Sequence, residues 1–111
     1  MNKIILIGRL TRDPEIKTIE DGGKVFCKFT LAVERRIRGT VGEKKVDFIP
    51  IIFWGRKAEI IAEYMTKGKL ISVSGRLQTG SYEGKDGNKR YKAEVIAEDF
   101  QFIDSKQVAN S

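Results

Sequence analysis

Histidine is absent from this 111-residue chain, which removes the commonest metal ligand and the commonest general base together. The single cysteine, Cys27, has no second thiol with which to form an internal disulfide, and this fits a reducing compartment. No apolar run approaches the roughly 18 residues that a membrane-spanning helix needs. At the N-terminus Lys3 precedes only the short run Ile4 to Ile7, and no small-residue cleavage site follows, so the segment does not read as a signal peptide. These absences predict a cytoplasmic protein. A phosphate-binding Gly-Lys-Ser/Thr loop is missing as well, as are internal repeats, linkers and low-complexity segments.

The carboxylates supply no chemistry to replace what is missing. They are scattered, and several, such as Asp13, Glu34, Glu43 and Asp86, stand beside a lysine or an arginine. Glu59 and Glu63 share a helical face, and with Lys67 four residues beyond Glu63 they read as ordinary surface ion pairing. Cys27 falls on the inward face of its strand and reads as a small core residue. The sequence therefore predicts a protein without enzymatic activity, with no cofactor, no metal and no catalytic residues.

What is present points to binding. Lysine and arginine number 21 against 15 acidic residues, a net charge of +6, which suits a polyanionic partner, most often nucleic acid. Hydrophobic content of 41% with 32% charged residues fits one soluble domain with a real core. At the centre lies Asp47 to Gly68. Strand side chains alternate, so in Val46 to Trp54 one face receives Val46, Phe48, Pro50, Ile52 and Trp54 and the other Ile49, Ile51 and Phe53. Both faces are apolar, as in a strand buried on both sides or one that keeps an aromatic face for a partner. Lys57 to Lys67 then reads as a helix, with Ala58, Ile61, Ala62 and Met65 on one stripe and Gly68 placed as its left-handed cap.

The remainder reads as strands around that centre. Lys3 to Leu10 is the first, ended by a turn at Asp13-Pro14; Ile16 to Ile19 is a short one, and Asp21-Gly22-Gly23 signals a hairpin. Lys24 to Glu34 alternates cleanly, with Cys27, Phe29 and Leu31 inward and a basic outer face. Arg35 to Lys45 is a basic loop. After the helix come a strand over Lys69 to Gln78, a polar stretch turning at Asp86-Gly87 with Tyr82 and Tyr91 on its flanks, and a last strand from Arg90 to Ile103, where adjacent Val95 and Ile96 suggest a bulge or a change of face. The order predicts an all-β fold with one short helix: a five-stranded oligonucleotide-binding (OB) barrel with a long hairpin between its fourth and fifth strands. Residues 1–103 form the domain, and 104–111 are expected to be a disordered stub.

A basic groove that follows phosphates, with aromatic rings on which bases stack, holds single strands largely without regard to sequence. Phe48 and Trp54 share a face six residues apart, or about 20 Å at ~3.3 Å per residue, so they would hold different nucleotides. Tyr82 sits in the basic hairpin with Lys85, Lys89 and Arg90, and Arg35, Arg36, Arg38, Arg56 and Lys57 border the aromatic strand in sequence. Taken singly, each aromatic is more often core, and each charge a solvated surface group. In combination they favour nucleic acid, with RNA or a protein partner as the alternatives.

Read in order, NKIILIGRLTRDPEIK, DGGKVFCKFTLAVER and DFIPIIFWGRKAEIIAEYMTKGKLISVSGRLQTGSYEGKDGNKRYKAEVIAEDFQFI resemble the bacterial-type single-stranded DNA-binding proteins over residues 2–103. Sequence-blind stacking is the mechanism for which that family is known, and it is taken over from the resemblance. The resemblance implies a homotetramer of OB folds around which single-stranded DNA wraps during replication, recombination, repair or DNA uptake. It implies a place with the nucleoid in the cytoplasm. It implies base stacking at Phe48, Trp54 and Tyr82, and phosphate contacts at positions that include Arg56 and Lys67, with the arginines of the 35–38 loop, Arg76, Lys85 and Arg90 as further candidates. Where members often carry an aromatic in the loop after the second barrel strand, this chain has Ile37, which packs on a base but cannot stack as a ring does. Typical members continue into a flexible linker and an acidic tip that recruits replication proteins. This chain stops at Ser111 with DSKQVANS, as in a short or tailless form, so recruitment by a tip is not carried over.

Overall fold

A computed structural model describes residues 1–19, 22–35 and 45–103. Six strands and one helix follow in the order β1 (Ile4–Leu10), β2 (Glu15–Ile19), β3 (Lys24–Glu34), β4 (Val46–Trp54), α1 (Arg56–Tyr64), β5 (Leu70–Glu83) and β6 (Lys89–Phe102). The sheet runs β1-β5-β6-β4-β3-β2 and closes on itself where Arg9 and Leu10 of β1 meet Ala32 and Leu31 of β3. Five strands thus make the ring. β2 extends it beside Lys24 to Lys28 and is the continuation of β1 after the break at Thr11 to Pro14. This five-stranded ring with a helix between its third and fourth strands is an OB fold.

Period-two alternation fills the barrel. Cys27, Phe29 and Leu31 of β3, Ile51 and Phe53 of β4, Ile71 and Val73 of β5 and Val95 of β6 are buried, and Leu10 joins them from β1. Phe53 lies at the centre of an aromatic group, 6.2 Å from Phe29 and edge-on to Phe100 at 5.6 Å between centroids. Burial pushes the Cys27 thiol up to about 11, as expected of a core residue whose ionised form has no water to stabilise it. Helix α1 closes one end through Ala58 and Ile61, with Met65 buried just beyond it, and packs against β3, β4 and β2. Among the described residues no helix is long and apolar enough to cross a membrane.

Three local expectations change. The helix stops at Tyr64, and Met65 is extended while its N–H still reaches the Ile61 carbonyl at 2.9 Å. Gly68 is left-handed as expected, with φ 88°, but it serves the turn beyond the helix and donates its N–H to Leu10 at 2.8 Å. Docking of the Thr66–Gly68 turn onto the end of β1 therefore outweighs another turn of helix. The bulge falls after Val95 and Ile96. Val95 points inward and Ile96 outward, and the extra residue is Glu98, because Gly75 pairs with Ala97 while Ser74 pairs with Asp99. At Gly75 an added Cβ would run into the Ile96 carbonyl oxygen, so only glycine permits this approach. Finally, β5 runs on past Gln78 to Glu83, so the hairpin is a long paired arm that turns only over Gly84 to Asn88.

Candidate nucleic-acid interface

Neighbouring strands present partnered residues on the same side, so the register defines the outer face. Opposite Trp54 of β4 stands Phe26 of β3; opposite Ile52, Lys28; opposite Pro50, Thr30; opposite Phe48, Ala32. Ile52 lies beside Ile96 of β6, which pairs with Arg76 of β5. From there the outward residues of the hairpin are Gln78 with Glu94, Gly80 with Lys92, and Tyr82 with Arg90. One continuous face therefore carries Trp54, Phe48 and Tyr82. These three rings are exposed by 44%, 65% and 55%, in a fold whose core holds other large apolar groups almost completely buried. Trp54 is braced by Phe26, with centroids 5.0 Å apart and planes tilted by 37°. Because β6 runs parallel to β4, the hairpin arm carries Tyr82 and Arg90 toward the Phe48 end of the face.

Period two explains why Tyr91, also highly exposed, lies on the opposite face of the arm: it pairs with Ser81, one residue out of phase with Tyr82. The same logic separates Arg35 from the aromatics. Its guanidinium holds Asp47 through Nη2 at 2.8 Å and Nε at 3.0 Å, and Asp47 is on the side of β4 away from Phe48. The hydrogen bond from Arg35 holds the Asp47 carboxyl below its ordinary value.

Several of the other cations named from the sequence also have protein partners. Arg56 meets Glu59 at 3.1 Å, and Arg90 meets Asp86 at 2.9 Å. Arg76 donates to Gln78 at 3.1 Å and lies 3.9 Å from the Glu98 carboxylate. Lys57 donates from Nζ to the Glu98 backbone carbonyl at 2.8 Å, which ties the helix to the bulge. Asp86 organises the hairpin tip: the Asn88 backbone N–H, then its side-chain amide and Arg90, hold its carboxyl below the ordinary value. The ammonium groups of Lys67 and Lys85 have no ion-pair partner among the described residues, although the Lys67 backbone N–H donates to Asp13 at 2.8 Å. Exposed pairs of this kind are weak, so Arg56, Arg76 and Arg90 remain available to an anion of higher charge. Arg36, Ile37 and Arg38 lie outside the described residues, as do 104–111.

Phe26, Lys24 and Lys28 belong to the same face and escaped the sequence reading as site residues. Alternation within β3 marks them as outward. What alternation cannot show is that β3 is the neighbour of β4 and that Phe26 falls opposite Trp54. Among the described residues no group of three or more Cys, Asp or Glu side chains is placed to hold a metal ion.

An OB barrel with one exposed aromatic face and a cationic border is the architecture of an oligomer-binding protein rather than of a catalyst. The chain belongs to the single-strand binding protein family, whose profile matches residues 1–103. It is 53% identical to single-stranded DNA-binding protein 1 of Clostridium acetobutylicum, over 98% of this chain and 99% of that protein. It is 50% identical to the single-stranded DNA-binding protein of Clostridium tetani, over 100% of this chain and 77% of the relative. With single-stranded DNA-binding protein 1 of Staphylococcus aureus strain Mu50 it shares 48% identity, over 96% and 67% respectively.

Proposed function

We propose that residues 1–103 form a non-catalytic, sequence-independent single-stranded DNA-binding domain that protects exposed strands in replication, recombination, repair or DNA uptake, in the cytoplasm with the nucleoid. The observation that carries this reading is the placement of Phe48, Trp54 and Tyr82, all exposed, on one register-defined face of the barrel. Bases stack on these rings, and arginine and lysine side chains around them neutralise phosphates.

Trp54 is the only tryptophan, so its emission reports on the face directly. Titration with long oligothymidylate is expected to quench it, with a midpoint that weakens as salt rises. Duplex DNA is expected to quench little. Tighter binding of matched single-stranded RNA would transfer the reading to RNA, since discrimination would then run through the 2′-hydroxyl.

The domain assembles as a homotetramer in this reading. β1 pairs with β5 along Ile4 to Arg9 but with β3 only at Arg9 and Leu10, which leaves its other edge open from Ile4 to Ile7 among the described residues. Ile5 and Ile7 are exposed beside it. An open apolar edge is a surface that native proteins normally cover, and a second copy would cover this one. Light scattering is expected to give about four times the chain mass of 12.6 kDa, and a monomer mass would overturn the assembly.

A further inference from the structure

The aromatic face is flanked by two grooves, and each pairs one aromatic of β4 with one lysine of β3. The first is lined by Lys24, Val25, Trp54, Arg56 and Glu59. The second is lined by Arg12, Lys28, Thr30 and Phe48, and also by the acids Asp13 and Glu15. Lys24 and Lys28 point outward on β3 on either side of Phe26, the residue opposite Trp54. Neither lysine has an ion-pair partner among the described residues. Arg56, Arg76 and Arg90, by contrast, are each matched by a carboxylate, and Lys57 by a carbonyl.

From this repeated juxtaposition we infer that Lys24 and Lys28 are the phosphate contacts of the nucleotides stacked on Trp54 and Phe48, so that the DNA backbone runs along β3. The inference rests on the single-stranded DNA reading above. It assigns the main cationic track to a strand on which the sequence had marked no site residue.

A phosphate draws most strongly on a cation that no protein acceptor already holds. In the first groove Glu59 is matched by Arg56, which leaves the Lys24 charge over. In the second, Arg12 and Lys28 face Asp13 and Glu15, and Glu15 is the cross-strand partner of Lys28 without closing to ion-pair distance. Among the described residues, Lys28 therefore binds phosphate in competition with Glu15, while the acid lining the Lys24 groove is matched by Arg56. The two sites differ in strength for that reason.

The test is the salt dependence of oligothymidylate binding, read by Trp54 quenching and by the anisotropy of a labelled strand. Each phosphate neutralised on a single strand contributes about 0.7 to the slope of log K against log salt. The double variant Lys24→Ala/Lys28→Ala is expected to lower that slope by about 1.4, with Trp54 quenching at saturation unchanged. Lys24→Ala alone is expected to account for more than half, Lys→Arg at both positions to restore the slope, and Glu15→Gln to tighten binding. All four changes are on exposed side chains, and circular dichroism checks that each variant is folded. If wild-type protein quenches but the double variant keeps the full slope, the phosphate track is elsewhere and this inference is overturned. If wild-type protein itself shows no quenching and no binding, it is the single-stranded DNA reading that fails.

Discussion

Replacing Trp54 by alanine is expected to weaken oligothymidylate binding by about 1–3 kcal/mol for each base it holds, a range taken from base–aromatic stacking in this class of protein. In dissociation constant that is roughly 5- to 150-fold. The indole is 44% exposed and braced by Phe26, so its removal takes away a preformed platform and leaves the core intact. Phe48 lies six residues along the same face and in the proposed reading holds a different nucleotide, so the two losses should add. The double variant Trp54→Ala/Phe48→Ala is then expected to lose about 2–6 kcal/mol, with Trp54→Phe recovering most of the first part. Anisotropy of a labelled strand measures this without the tryptophan. Unchanged affinity in Trp54→Ala would remove that residue from the site.

One residue earlier, the expected effect moves from binding to stability. Phe53 is fully buried and in ring contact with both Phe29 and Phe100. Phe53→Ala is expected to cost about 3–5 kcal/mol, because it removes the transfer energy of a ring and leaves a cavity that the closed barrel cannot collapse around. Against a typical total of about 5–15 kcal/mol that is a large share. A denaturant titration measures it, and a loss under about 1 kcal/mol would show that neighbouring side chains refill the space. Protein that remains folded should bind DNA normally, since the outward face is untouched. Adjacent positions on β4 thus divide their consequences cleanly, and the division follows from a period of two.

That period is also why so much was legible beforehand. The inward sets of β3 and β4, the shared face of Phe48 and Trp54 and the hairpin turn at Asp86-Gly87 follow from alternation and turn chemistry, and the barrel from the order of the elements; Tyr82 lies beyond the expected strand end at Gln78, and its place on that face comes from the β5–β6 register. What escaped depends on contacts between segments distant in sequence. The helix ends at Tyr64 because the turn after it docks on β1 through Gly68 and Leu10, a bond between segments about half the chain apart. Glu98 bulges where Gly75 meets Ala97, which no local pattern at Val95 and Ile96 discloses. Arg35 looks like a bordering cation until Asp47 is seen to hold it on the other side of β4, and Arg90 has in Asp86 a partner that the sequence does not disclose. That Lys24, Lys28 and Phe26 lie on the same face as Phe48 and Trp54 becomes visible only once β3 is known to be the neighbour of β4.

The position of β6 in the sheet has a consequence for how the molecule is made. β6 lies between β5 and β4, and its parallel pairing at Ile51–Val95 and Ile52–Ile96 is the seam that completes the ring. Synthesis delivers this strand after all the others. Until it has left the ribosome, β4 and β5 each present an uncovered edge, and the hairpin arm that carries Tyr82 has only one of its two strands. A nascent chain therefore has no finished barrel with which to compete for nucleic acid, and its vulnerable period for edge-to-edge association ends only when the last strand is in place.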